Sequence, residues 1–271
     1  SGKQTPSLNQ LKVLLQRLGL PDERYYAIVS KNEMLISDLQ TEIVSSNVFR
    51  DPQKGLPRIE ELEKIADPDD RPIRQFILRS KVLLGKIENG QIVPYTNDEK
   101  LDMLFEAIRL TSPNFDIDAI CDGLYSVDEV KVINQIALIY SQLEQREKVI
   151  DIYRQLLAYI ENHFQNTGQF GSLFSLVAFN YARELDLVGR YTEAIKVSEI
   201  NWKACVQYES YYYLPSTIAI IAECYHFLNQ DEKSKAYYKQ ALYLFKAIDN
   251  KRGLKIITDD AKKYFGDDFS F

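Results

Sequence analysis

The sequence predicts an all-α protein, a right-handed superhelix of about five helical hairpins closed by a C-terminal capping helix. Apolar residues recur three and four positions apart along most of the chain, which is the spacing of a helix face. Serine or threonine followed three residues later by glutamate marks several helix starts. Alternating runs bounded by hairpin turns, which would indicate strands, are not evident.

The clearest hairpin is the stretch IAECYHFLNQDEKSKAYYKQAL near the C-terminus. Ala222, Tyr225 and Leu228 are three residues apart and share one helix face. Asn229 and Glu232 have the spacing of a capping box that starts the next helix. Small residues let two antiparallel helices approach closely, with tyrosine rings beside them. The second helix carries such a set at i, i+4 and i+7: Ser234, Tyr238 and Ala241.

A related but degenerate pattern occurs twice more upstream, so the hairpin is a repeat. Its second helix reads Val149, Tyr153 and Leu156 in one copy and Ala194, Ser198 and Asn201 in the other. Its origins are Ala137, Ala182 and Ala222, which are 45 and 40 residues apart. The pattern resembles the tetratricopeptide (TPR) repeat, whose usual period is about 34 residues. We therefore predict TPR-like hairpins with lengthened helices or loops.

Capping signals and breakers outline the remaining helices. Thr5 or Ser7 begins a leucine-striped helix that Gly19 ends. A linker helix is expected to about Val48, and DPQKGLP and ENGQIVPYTNDE read as loops. The further expected helices run from Arg58 to Ala66, from Ile73 to Ile87, from the Thr96–Glu99 capping pair to Leu110, and from the Ser126–Glu129 pair onward, with KRGLKIITDDAKKYFGDDFSF as the capping helix.

Composition excludes several functional classes. The net charge of −6 argues against a protein that binds nucleic acid over its whole surface. The three cysteines have no CxxC spacing, which favours a reducing cytoplasm over a disulfide framework. We expect no membrane segment, because no apolar run reaches about 18 residues. We also expect no cofactor, no metal and no enzymatic activity, because P-loop, GxSxG and HExxH motifs are missing.

The N-terminal residues resemble the closing helix of a Cro/repressor-type helix-turn-helix domain, through Pro6, Ser7, Leu8, Leu11, Leu15, Leu18, Gly19 and Leu20. Together with a linker helix, degenerate TPR-like hairpins and LTSPNFDID ahead of SVDEVKVINQIALIYSQL, they resemble the Rgg/MutR/PlcR (RRNPP) type of regulator. That resemblance implies a cytoplasmic transcription regulator of Gram-positive bacteria, usually a homodimer, with a short imported signalling peptide in its TPR groove. Residues 1–30 would be the end of the helix-turn-helix domain plus linker, and residues 31–271 the TPR-like domain. DNA would be contacted only through a helix-turn-helix domain mostly outside this chain.

A TPR-like stack binds ligands on the concave face formed by the first helix of each hairpin. An asparagine amide on that face can pair with both the N–H and the C=O of an extended peptide, and an arginine can hold a carboxylate. Asn134 and Asn180 are the strongest candidates, although asparagines also cap turns or sit solvated. Offsets from the small-residue origins predict this peptide-binding set: Asn134, Gln135, Leu138, Phe179, Asn180, Arg183, Ile220, Glu223 and His226. The alternative functions are a TPR scaffold that docks a protein partner without binding DNA, and a helical regulator of another protein's phosphoryl state.

Overall fold

A computed structural model describes residues 6–20, 31–165 and 167–266. Within these residues nearly all regular structure is helical, in agreement with the predicted class. The helices are α1 (Leu8–Arg17), α2 (Lys31–Phe49), α3 (Pro52–Ile65), α4 (Arg71–Leu84), α5 (Asn97–Thr111), α6 (Val127–Gln142), α7 (Arg146–His163), α8 (Phe170–Leu187), α9 (Tyr191–Gln207), α10 (Leu214–Phe227), α11 (Asp231–Ala247) and α12 (Lys251–Phe265). Short strands β1 (Lys86–Glu88) and β2 (Gln91–Val93) and 3-10 turns at Ile120–Asp122 and Tyr211–Tyr213 complete the description.

The chain divides into two compact units. Unit 1 holds the residues up to Gln145 together with His163–Thr167, and unit 2 holds Arg146–Asn162 and the residues from Gly168 onward. Helices α1 to α6 therefore belong to unit 1, and α8 to α12 with most of α7 belong to unit 2.

Unit 1 is built on capped helices around an aliphatic core. Ile43, Ile59 and Leu62, from α2 and α3, are fully buried, and Ile73 and Phe76 of α4 join them. The predicted capping boxes are confirmed where Thr96 caps α5 with Glu99 and where Ser126 caps α6 with Glu129. Of the two predicted starts of the first helix, Ser7 caps α1, in a capping box with Gln10, and Thr5 lies outside the described residues.

Unit 2 contains two successive helix pairs, α8 with α9 and α10 with α11, and α12 packs against α11. Ser234 explains the close approach of α10 and α11, because its hydroxyl donates a 2.7 Å hydrogen bond to the carbonyl of Ala222. Tyr238 and Ala241 are buried beside it, and Ile257 of α12 joins the same cluster. The predicted small–aromatic–small pattern of this hairpin is confirmed. The capping helix is confirmed over Lys251–Phe265, and residues 267–271 of the predicted stretch lie outside the described residues.

The predicted capping role of Asn229 is wrong. Asn229 adopts a left-handed conformation, with φ of 58°, and follows the end of α10 instead of starting α11. The amide of Asn229 donates to the His226 carbonyl, and the amide of Gln230 donates to the Tyr225 carbonyl. This pair of bonds is a Schellman motif, in which asparagine tolerates the left-handed backbone. The residue that precedes α11 is Gln230, whose side chain makes no capping hydrogen bond.

Two predicted loops also differ from the structure. DPQKGLP belongs largely to α3, which begins at Pro52 behind an Asp51 cap and contains Pro57. ENGQIV forms the antiparallel hairpin β1–β2, so α4 ends at Leu84 before the predicted Ile87. Asn89 and Gly90 both have positive φ, as a tight two-residue hairpin turn requires. The Asn-Gly pair was the sequence signal for this hairpin.

Candidate functional site

In unit 2, the predicted site residues lie on α8 and α10, which are the first helices of their hairpins and contact each other. Asn180 is only 6% exposed and Ile220 is buried too. Phe179, Glu223 and His226 are partly exposed, and Arg183 is exposed. The face therefore combines the buried amide of Asn180 and the buried apolar side chain of Ile220 with charged groups that are accessible to solvent.

Aromatic rings border this face at the start of α10. The ring of Phe179 stacks on Tyr213, with ring centroids 5.3 Å apart. Burial raises the pKa of Tyr213 to about 12, which marks an apolar surrounding for its hydroxyl. Phe179 and Tyr213 together form an apolar wall beside Asn180.

An acidic cluster lies toward the other end of α8 and α10. Asp186 accepts a 3.2 Å hydrogen bond from the thiol of Cys224. Burial, reinforced by repulsion from Glu223, raises the pKa of Asp186 to about 7, and the neighbouring Arg183 opposes this rise. Burial also raises the pKa of the Cys224 thiol, so the thiol remains a donor. Arg183, Asp186 and Glu223 are thus brought together.

Helix α12 contacts the same cluster. The hydroxyl of Tyr264 donates a 2.7 Å hydrogen bond to Glu223, and the rings of Tyr264 and His226 are 4.3 Å apart. Burial and then Glu223 raise the pKa of Asp260. His226 Nδ1 lies 2.9 Å from the carboxylate of Asp231 at the start of α11. Glu223 and His226 therefore contact the C-terminal helix as well as the predicted face.

In unit 1, the remaining predicted residues lie on α6. Asn134 and Gln135 are each 5% exposed, and Leu138 is partly exposed. Among the residues that the structure describes, no group of histidine, cysteine or carboxylate side chains is arranged to hold a metal ion. The same part of the chain contains no helix long and apolar enough to cross a membrane.

Comparison with known proteins identifies the family. Residues 43–266 match the model of the RNPP family C-terminal domain. The chain belongs to the RNPP family. The resemblance inferred from the N-terminal helix and the degenerate repeats is thereby confirmed, and no curated protein sequence matches the chain.

Solved structures show the same fold as this RNPP chain. PlcR of Bacillus thuringiensis, in complex with the peptide PapR7 and DNA, matches with a TM-score of 0.67 at 17% identity, over 95% of this chain and 86% of PlcR. Aspartyl phosphate phosphatase F of Bacillus subtilis matches with a TM-score of 0.61 at 11% identity, over 87% and 57% of the two chains. A Podosopora anserina kinesin light chain with TPR-like repeats matches at 0.51 and 11%, over 82% and 100%. The TPR-like fold is confirmed.

Several charged or polar residues of this RNPP chain were missed by the repeat offsets. Those offsets considered only the first helix of each clear hairpin, so Asp260 and Tyr264 of α12 were not selected. Lys12, Arg79 and Lys131 of unit 1 lie on three different helices, and sequence spacing does not reveal that they meet. The helical spacing does indicate Lys131, because it lies one turn before Gln135 on the same side of α6.

Proposed function

We propose that the chain is the sensor region of a cytoplasmic transcription regulator that binds a short signalling peptide on the first helices of its hairpins. The match of residues 43–266 to the RNPP C-terminal domain carries the proposal. The fold similarity to PlcR, which was solved with the peptide PapR7 and DNA, supports it. A peptide sensor acts by binding and changing shape, so the proposal requires no catalysis by this chain.

The chemistry of the α8–α10 face suits a short, extended peptide. The Asn180 amide supplies donors and an acceptor for a peptide backbone, and burial strengthens such bonds because water competes less. Phe179 and Tyr213 accept an apolar side chain. Arg183 is exposed and free to turn toward a ligand carboxylate, whereas Glu223 suits a cationic group.

Signal output requires the peptide to prefer one conformation. A ligand with equal affinity for two curvatures of the helical stack shifts neither population. In our proposal the bound peptide favours one curvature or dimer geometry, which changes the spacing of the attached DNA-binding domains. Residues 1–30 would form the end of such a helix-turn-helix domain and its linker, and residues 31–271 the TPR-like region. DNA contact would come from that domain.

A homodimer is part of this proposal, and α2 offers a surface for it. Ile36, Leu39 and Ile43 of α2 are buried in unit 1. On the remaining surface of α2, Val48 is 56% and Phe49 79% exposed. A helix that is apolar on more than its core-facing side gains stability when a second surface covers it.

The direct test is retention of a peptide. The purified chain is incubated with the short-peptide fraction of the producing cell's culture medium, freed of unbound peptide by gel filtration, and analysed by mass spectrometry. We expect one short peptide to be retained in stoichiometric amount and to be lost from an Asn180→Ala variant of unchanged helicity. Retention of no peptide by the folded chain would contradict the proposal.

Protein docking is the second candidate, and the similarity to aspartyl phosphate phosphatase F favours testing it. If the chain acts on another protein's phosphoryl group, mixing it with phosphorylated response regulators will accelerate phosphate loss. A stable complex with a folded protein and no phosphate loss would instead indicate a TPR scaffold. A peptide sensor without these activities shows neither effect.

A further inference from the structure

Three basic side chains meet around one carboxylate in unit 1. Arg79 comes from α4, Lys131 and Asp128 come from the first two turns of α6, and Lys12 comes from α1. We call this group the basic cluster. In the sequence, Arg79 lies 67 residues after Lys12 and 52 residues before Lys131, so helix packing brings the cluster together.

The charges in the basic cluster do not balance. Asp128 is the one carboxylate that acts on both Arg79 and Lys131 among the described residues. Its oxygen lies 4.0 Å from a terminal nitrogen of Arg79 and 3.6 Å from the Lys131 ammonium. Charge-assisted hydrogen bonds are normally 2.7–2.9 Å long, so neither cation is tightly held. Three positive charges thus share one loosely held negative charge.

Burial makes this imbalance costly. The Arg79 side chain is 16% exposed, and those of Lys131 and Asp128 are each 35% exposed. Burial lowers the pKa of Arg79, and it lowers that of Lys131 together with repulsion from Arg79 and Lys12. Burial acts to raise the pKa of Asp128, yet the surrounding cations hold it below its usual value. A second anionic group would relieve the repulsion among the cations.

One hydrogen-bond donor of Arg79 is also unpaired among the described residues. Its Nε is buried and has no hydrogen-bond partner within the described part of the chain. A guanidinium offers its Nε and Nη donors to a carboxylate as a fork, whereas a lysine ammonium adds a point charge. An incoming carboxylate is therefore the group that best completes the hydrogen bonding of Arg79.

The position of Lys131 connects the basic cluster to the predicted peptide face. Lys131, Gln135 and Leu138 have i, i+4 and i+7 spacing and share one side of α6. We propose that Arg79, Lys131 and Lys12 form a carboxylate-binding site that receives the C-terminal or an acidic side-chain carboxylate of a peptide bound along α6. This assignment rests on the proposed function for the nature of the ligand, but the anion site itself can be tested alone.

The first experiment uses acetate as the probe. Sodium acetate is titrated into the 15N-labelled chain at constant ionic strength, and the Nε–H resonance of Arg79 is followed by NMR. We expect a saturable shift, weakened at least threefold in Lys131→Gln and unchanged in Lys64→Gln, an exposed lysine on α3. The Lys131→Gln variant retains Arg79, so the same resonance can be followed. A well-dispersed spectrum confirms that the variant is folded. No saturable shift, or saturation by phosphate but not by acetate, would overturn the carboxylate site.

The second experiment uses the retained peptide in three synthetic forms: unmodified, with a C-terminal amide, and with its acidic side chains replaced by amides. We expect one modified form to bind at least tenfold more weakly to the wild-type chain, and the difference to vanish in Lys131→Gln. That form identifies which carboxylate occupies the site. Equal affinities for all three forms would refute this inference while leaving peptide sensing intact. Saturable acetate binding without any peptide binding would refute the proposed function while leaving the anion site intact.

Discussion

At the scale of single residues, Asp186 is a carboxyl group whose pKa departs strongly from that of a surface carboxylate. It is nearly buried, accepts a hydrogen bond from Cys224 and has a pKa of about 7 in the folded protein, against a usual 3.8. Folding thus favours the protonated form. The stability that depends on this proton is fully present below about pH 4 and is lost as the pH rises through about 7.

We therefore predict that Asp186→Asn is more stable than the wild type at pH 8, by about 1 kcal/mol or more, because each pKa unit corresponds to about 1.4 kcal/mol. The advantage should shrink toward pH 4.5, where the wild-type carboxyl is protonated. Urea unfolding at both pH values measures the difference. Asp259→Asn, an exposed carboxylate of α12, serves as the control and should show no such pH-dependent gain. A constant or inverted difference would show that Asp186 is ionised in the folded protein at neutral pH.

The two buried asparagines of the predicted peptide-binding set give the second prediction. Replacing Asn180 or Asn134 by alanine should weaken peptide affinity by roughly 1–3 kcal/mol, because a backbone group of the ligand then lacks its partner. Calorimetry with the retained peptide measures the loss. Asn47→Ala, on α2 and outside the predicted face, is the matched control. Unchanged affinity in both asparagine variants would remove these residues from the site.

At the scale of elements, α1 is fastened to the start of α6 by a buried ion pair. Glu129 is fully buried and is paired with the Arg17 guanidinium, which also donates to the Thr111 carbonyl at 2.7 Å. The hydroxyls of Thr111 and Ser112 donate to the same carboxylate, at 2.6 and 2.7 Å. Glu129 therefore joins α1, the end of α5 and its own helix cap.

Removing Arg17 should be strongly destabilising, because it leaves a buried carboxylate without its counter-charge. We predict that Arg17→Met lowers the unfolding free energy by about 3 kcal/mol, whereas Arg58→Met, which removes exposed ion pairs to Glu42 and Glu61, has a much smaller effect. Urea denaturation measures both. The double variant Arg17→Met/Glu129→Gln should recover part of the loss, since the uncompensated charge is gone. Equal effects of Arg17→Met and Arg58→Met would contradict the role of the ion pair.

Elements were predictable from sequence where local chemistry decides them. The boxes at Ser126 and Thr96 were predicted because both partners lie within four residues. Asn229 was misassigned because asparagine suits a helix start and a left-handed helix end equally well. The repeat offsets selected α8 and α10 correctly as the first helices of hairpins, but the contacts of Tyr264 with Glu223 and of Arg79 with Asp128 depend on packing between distant segments.

At the scale of the whole molecule, the proposed homodimer makes the exposed side of α2 a specific target. We predict that the wild-type chain is dimeric and that Phe49→Lys dissociates it, because a charge would be buried in an apolar interface. Light scattering after size-exclusion chromatography measures the mass. Ile87→Lys, at an exposed apolar position of β1, is the control and should stay dimeric. A monomeric wild type, or a Phe49→Lys variant that remains dimeric, would contradict this interface.

Peptide binding is the central claim, and one calorimetric titration tests it most directly. The retained peptide, or the fractionated pool of short peptides, is titrated into the wild-type chain and into Asn180→Ala, with circular dichroism confirming equal helicity. We predict saturable binding with one peptide per chain, weakened by about 5- to 150-fold in the variant, as a loss of 1–3 kcal/mol implies. Absence of saturable heat in the folded wild-type chain, or equal affinity in the two proteins, would contradict a peptide site on the α8–α10 face.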